Sequence, residues 1–252
     1  MKYNWNWGIL LSPEPGGTGT YLHYLVVGLG WTLATALAAW VIALVIGSLV
    51  GTLRTTTNPW VVRIGNGYVE IFRNIPLIVQ MFLWFFVFPE FLPKGLGDAI
   101  KQMPPPWSSY IPAVLCLGIF TSVRVAEQVR AGIQSLPRGQ RMAGTAMGFT
   151  QDQTYRYVIL PQAFRIIMPP LTSEFMNVIK NSSVALTIGL LELTGRARAM
   201  QEFSFQVFEA FAAATVIYLL TNLVVVLGMR ALERKIRVPG LIAAGGAPLA
   251  GH

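Results

Sequence analysis

Lys180 stands near the middle of an apolar stretch, 166–191, beside Asn177, Asn181, Ser182 and Ser183. Glu174 precedes Asn181 by seven residues, which puts both on one face of a helix. A charge held at hydrocarbon depth costs about 2.5–3.5 kcal/mol on insertion scales, so charged residues there mark a polar path by default. The competing reading is a Glu174–Lys180 or interhelical pair that fixes packing alone. Arg73 is the second such residue. In a helix starting near Pro59 it lies 14 residues in, about 21 Å along the axis at 1.5 Å per residue. A guanidinium at that depth can grip a carboxylate as a bidentate fork. Pairing with Glu70 three residues earlier, or snorkelling to the interface, accounts for the same residue equally well. Covalent and metal chemistry find no support. There is no GxxxxGK[ST] phosphate loop. His23 and His252 are far apart with the single Cys116 between them, which makes no metal-ligand cluster. The chain is therefore expected not to be an enzyme, with no catalytic residue and no metal ligand.

Helices in a bilayer must position these residues. Of 252 residues, 54% are hydrophobic and 12% charged, half the charge of a typical soluble chain at about 25%. The mean hydropathy is +0.54. These values exclude an ordinary cytosolic enzyme and a disordered chain. A net charge of +8 would suggest nucleic acid for a soluble domain. In a membrane protein it sets orientation instead, and no nucleic-acid partner is expected. Crossing about 30 Å of hydrocarbon takes roughly 20 apolar residues. Residues 24–53 carry no charge and are too long for a signal-peptide core, and 210–229 is equally clean. The stretches 74–89, 104–123 and 166–191 are less tidy; the amphipathic segment 60–72 is expected to supply the first turns of the second crossing. The reading is an all-α integral membrane protein with five transmembrane helices, at about 24–53, 64–90, 108–130, 166–191 and 208–230. They form one membrane domain over 24–238, between an N-terminal segment 1–23 and a flexible tail 239–252. With the N-terminus outside, thirteen basic residues fall inside and five outside, so the N-terminus is read as periplasmic and the C-terminus as cytoplasmic. Gly47 and Gly51 are spaced for close helix packing.

The longest inside segment, 134–165, reads as two short helices. Pro137 breaks the preceding helix, and 139–147 forms the first, with Gly148 as its left-handed terminator. Thr150 and Gln153 form a capping-box pattern for the second, which Pro161 is expected to interrupt. The small residues Ala143, Gly144, Thr145 and Ala146 would let another protein surface approach closely. An interfacial element that merely anchors the loop is the alternative.

Met142-Ala143-Gly144, three residues, Gly148, nine residues, then Val158-Ile159-Leu160-Pro161 resembles the EAA loop of ABC-importer permeases. The family pattern is Glu-Ala-Ala, three residues, Gly, nine residues, then Ile, any residue, Leu-Pro. Met142 stands where Glu is usual and Gly144 where the second Ala is usual. Residues 68–80 are similar to a block typical of polar amino-acid permeases. Within that group Asn4-Trp5-Asn6-Trp7-Gly8, Glu127-Gln128-Val129-Arg130-Ala131, 135–139 and 232–235 resemble the glutamate/aspartate branch. The resemblance implies the type I importer permease fold in the inner membrane, surrounded by lipid. It implies two cytoplasmic ATPase subunits docked on residues 139–161, with Met142, Ala143, Gly144, Gly148, Val158, Leu160 and Pro161 as the coupling residues. A homologous second permease, or a second copy of this chain, and a periplasmic amino-acid-binding protein would complete the machine. ATP would be hydrolysed by the partners, with no cofactor on this chain. Lys180, Asn181, Arg73 and Glu174 are then expected to contact the amino-acid substrate, glutamate or aspartate first. Related permeases often carry Lys-Asp at 180–181; Asn181 removes a negative charge, which suits an anion. Glutamine or a basic amino acid is the alternative cargo. An ion-driven secondary transporter is the alternative machine, and it would normally show more spans and inverted repeats.

Overall fold

The longest uncharged run folds as helix α1, Tyr21–Leu53, started by the Thr20 hydroxyl accepting from His23 N at 3.3 Å. Its small residues Gly28, Thr32, Ala36, Ala39, Ala43, Gly47 and Gly51 make one buried stripe, while Val41, Val45 and Leu49 face outward. That stripe admits a second helix, Trp107–Gln134, at backbone contact. A Cβ on Gly47 would stand 2.5 Å from Val125 Cβ, and one on Gly51 2.7 Å from Ala126 O. The structure, a computed structural model, describes residues 3–17 and 19–236, and the expected tail 239–252 lies outside them.

Helix α2, Pro59–Arg73, begins as its sequence dictates, with the Asn58 side chain accepting from Trp60 N and proline at the first position. It is amphipathic: Gly65 and Val69 are buried, and Trp60, Ile64 and Ile71 are exposed. Pro76 lacks an N–H and drives Ile75 out of the helical region. The chain turns through 98° before α3, Leu77–Phe91. Buried Gln80 holds the turn, its Nε2 donating to Phe72 O (2.8 Å) and Ile75 O (3.0 Å). The expected continuous crossing at 64–90 is thus two helices meeting at a bend. Helix α4, Lys94–Lys101, leads to α5, Trp107–Gln134.

After Pro137 comes α6, Arg138–Ala146, and then α7 over 151–181. Pro161 does not interrupt α7, contrary to expectation. A wider π turn at Tyr155–Ile159 precedes it and Pro161 falls in the first turn of the following segment Leu160–Asn181, where a missing N–H is tolerated. A 3-10 turn, Ser182–Ile188, and Gly189 at φ +86° then lead to α8, Leu193–Ser204, and α9, Val207–Ile236. Ala43 of α1 clusters with Ile167 and Leu171, Ala36 and Ala39 with Ile179 and Ile188, and Tyr21 and Leu25 with Ala197 and Met200. The chain from 160 to 204 therefore runs along α1 from Ala43 to Tyr21 with its helix broken at 182–192. The crossing expected at 166–191 is half of that path.

Among the described residues α1, α5 and α9 are each long and apolar enough to cross a membrane, and the bent pair α2–α3 makes four. Glu174, Lys180 and the prolines keep α7 out of that group, although it packs along α1 in the same bundle.

Candidate functional site

A charged cavity of about 420 Å³ lies within the bundle, lined by Phe72, Arg73, Phe120, Val123, Arg124, Glu127, Gln128 and Glu174. Three elements build it. The bend after α2 delivers Arg73 to its rim. On α5, residues 120, 123, 124, 127 and 128 recur at helical spacing and present a continuous strip. Glu174 faces them from α7. Arg124 Nη1 lies 3.7 Å from Glu174 Oε2, an ion pair too long to be a hydrogen bond, and that oxygen is buried with no hydrogen-bond donor. Arg54 Nη1 pairs with Glu127 at 3.0 Å from the far side of α5. With Glu127 neutralised this way, Arg73, Arg124 and Glu174 leave the cavity with one net positive charge. It can take two carboxylate groups on its guanidiniums and one ammonium on the bare Glu174 oxygen.

Of the residues expected to contact cargo, Arg73 and Glu174 are brought together and Lys180 and Asn181 are not. Lys180 is exposed and Asn181 half-buried at the end of α7, where the helix gives way to the 3-10 turn. They stand six and seven residues beyond Glu174, about 9–10 Å along the axis. The expected Glu174–Lys180 and Glu70–Arg73 pairs are not formed among the described residues; Glu174 is paired with Arg124. Arg73 does end a continuous helix from Pro59, as the residue count to it requires, and the chain turns through 98° immediately after it. Arg124, Glu127 and Gln128 escaped the sequence reading as site residues. Their signal is the pair Arg124 and Glu127, opposite charges three residues apart; Arg124 counts in the sequence only among the inside basic residues, and Glu127 and Gln128 only in the resemblance to the glutamate/aspartate branch.

A second polar centre joins α8 to the bundle. Glu192 is fully buried, and its carboxylate accepts from Thr194 N (3.0 Å), Gly195 N (2.8 Å), Thr32 Oγ1 (3.2 Å) and Tyr218 Oη (2.9 Å). It caps α8 and ties it to α1 and α9 where the helix resumes.

At the other end, α6 closes in a Schellman motif. Gly148 is at φ +80°, with Phe149 N donating to Gly144 O and Gly148 N to Thr145 O. Thr150 and Gln153 form the expected capping box at 3.2 and 2.9 Å. Met142 and Met147 are 71% and 74% exposed, and Ala143 and Pro161 are exposed too. Val158 and Leu160 are half-buried. Gly144 does not offer itself to another protein as expected; it is buried against Thr154, and a Cβ there would stand 2.7 Å from Thr154 Cγ2.

Apolar crossings around a charged cavity, with a capped helical loop at one end, define a multi-pass membrane protein with a polar compartment among its helices. Residues 43–238 match the family described as binding-protein-dependent transport system inner membrane component, and the chain belongs to that family. It is 48% identical to the glutamate/aspartate import permease protein GltJ of Escherichia coli, over 95% of this chain and 98% of that protein. It is 32% identical to the probable glutamine ABC transporter permease protein GlnM of Bacillus subtilis, over 81% and 89%. Among solved structures, an amino acid ABC transporter with histidines superposes with a TM-score of 0.72 at 29% identity, covering 85% of this chain and 95% of that one. An inward-facing methionine ABC transporter shares the fold with a TM-score of 0.72 at 21% identity, covering 86% and 98%. The chain is an inner-membrane permease with the type I ABC importer fold, a fold that works with ATPase subunits, a second permease and a binding protein.

Proposed function

We propose that this permease carries glutamate and aspartate into the cell. The cavity between Arg73, Arg124 and Glu174 receives the amino acid during alternating access. One observation carries the reading: Arg73 and Arg124 line one cavity with Glu174, whose Oε2 lies 3.7 Å from Arg124 Nη1 and accepts no hydrogen bond. That arrangement complements two carboxylates and one ammonium, and the 48% identity to a glutamate/aspartate permease supports it. Two cytoplasmic ATPase subunits hydrolyse ATP and dock on the EAA loops of the paired permeases, on this chain residues 139–161, chiefly through exposed Met142, Ala143 and the turn at Gly148. This chain itself holds no cofactor. A periplasmic binding protein delivers the cargo, and a homologous second permease supplies the facing half of the path. The loop end of the bundle, rich in arginine, then lies in the cytoplasm.

The test is uptake of labelled glutamate by proteoliposomes holding the assembled complex and its binding protein. Uptake should require ATP on the ATPase side, and unlabelled aspartate should compete where glutamine and arginine do not. Competition by glutamine alone would reassign the cargo. Uptake driven by an ion gradient without ATP would overturn the importer mechanism for this chain.

A further inference from the structure

A second cavity, of about 450 Å³, opens at the loop end of the bundle, and four arginines line it: Arg54 from the end of α1, Arg130 from α5, and Arg138 and Arg141 from the loop and α6. The carboxylate against this group is Glu127, which pairs with Arg54. Arg54 also donates from Nε to Asn66 Oδ1 at 2.8 Å, and Arg141 is occupied by Tyr155 through a 3.2 Å hydrogen bond and the ring face. Arg130 is different. Its Nε is buried and has no acceptor. A buried guanidinium N–H left unpaired among three like charges is costly, so the cavity calls for an anion with several acceptor oxygens.

Its place in the bundle says which anion. Helix α1 has 33 residues, about 50 Å at 1.5 Å per residue, against roughly 30 Å of hydrocarbon. Its ends therefore reach the headgroup layers, and Arg54 follows its last residue. Beside the cavity, α2 turns Val62 inward and exposes Trp60 and Ile64, with Arg63 stacked 5.0 Å over the Trp60 ring. That is the pattern of a helix bedded at a membrane interface. We propose that the Arg54–Arg130–Arg138–Arg141 cavity binds the phosphate of an anionic phospholipid headgroup. The leaflet is the cytoplasmic one if the loop end faces the cytoplasm, and in that respect alone the inference rests on the proposed function.

The test reads lipid rather than transport, so its failure and a failure of the cargo assignment are distinguishable. The purified complex with its second permease and ATPase subunits is exchanged into detergent with equal phosphatidylglycerol and phosphatidylcholine, and bound lipid is counted by native mass spectrometry. Wild type should retain phosphatidylglycerol in preference to phosphatidylcholine. R130Q combined with R138Q should lower that retention on the order of tenfold or more, each cation near an anionic surface contributing about a fivefold factor. R130K, which keeps the charge, should restore most of the retention lost in R130Q, setting recognition apart from a folding defect. Equal retention of the two lipids by wild type, or undiminished phosphatidylglycerol in the double variant, would overturn the proposal. So would displacement of the lipid by millimolar inorganic phosphate, which would make the site one for a soluble anion. Loss of ATPase subunits from the double variant at unchanged lipid count would make the cavity a protein-docking surface and overturn it likewise.

Discussion

Arg124 and Glu174 face each other across the cavity at 3.7 Å with nothing bonded to Glu174 Oε2. Removing either charge unbalances the site in opposite senses. Arg124→Gln should raise the KM for glutamate roughly tenfold, the worth of one charge-assisted contact. Glu174→Gln should also weaken uptake, yet leave a substrate lacking its ammonium less affected than glutamate. Lys180→Gln, at the helix break and away from the cavity, should change KM far less; initial-rate uptake across a concentration series separates the three. Gly144 and Thr154 make a second residue-scale case. Gly144→Ala puts a methyl 2.7 Å from Thr154 Cγ2, so ATPase-coupled uptake should fall by severalfold. Thr154→Ala in the same chain removes the obstructing atoms and should restore it, a coupling that a double-mutant cycle measures. The family's usual Ala at this position is thus excluded by a neighbour ten residues on. Sequence reading found Arg73 and Glu174 because charge in an apolar span is conspicuous. It set Arg124 aside because a charge near a span's end looks the same whether it snorkels or lines a cavity.

At the scale of elements, the capping box at Thr150, the Gly148 terminator and the break at Pro137 were legible because each is written in local residue types. The bend after Arg73 was less so, since Pro76 announces a break but not its angle, which the Gln80 side chain sets by bonding back to Phe72 and Ile75. The broken path 160–204 was the hardest to see. Its two halves are joined by Glu192, whose partners Thr32 and Tyr218 lie on helices far away in sequence. Glu192→Ala leaves two backbone N–H groups and two hydroxyls without their acceptor. At about 1–3 kcal/mol for a buried unpaired donor, the melting temperature should drop by roughly 4–8 °C, with Glu192→Gln recovering part of the loss. Gly148 sits at φ +80°, so Gly148→Val should cost about 1–2 kcal/mol locally and reduce ATPase association in pull-down. Association undiminished in that variant would remove the Schellman turn from the coupling element.

The whole molecule is organised around α1, whose small-residue stripe lets α5 and the broken path lie against it along its length. Gly47→Leu would press a side chain into Val125, 2.5 Å from where its Cβ must sit. Overpacking of that kind costs about 1–3 kcal/mol or more, and the variant complex should melt several degrees below wild type. Apolar surfaces at Phe86, Phe91, Leu220 and Val224 remain uncovered on the single chain, as a membrane subunit requires. The N-terminal segment closes the assembly at the end opposite α6. The Tyr3 hydroxyl donates to Glu209 Oε2, with Gln206 Oε1 3.0 Å away, and Asn6 N donates to Glu209 Oε1 at 2.6 Å. Glu209 is fully buried and opens α9, the last helix. The clasp therefore joins residues more than 200 positions apart. Residues 3–6 gain these acceptors only after α9 has been synthesised and brought back to them, so this contact closes late on any folding route. A chain halted before α9 would leave the 3–6 segment unfastened.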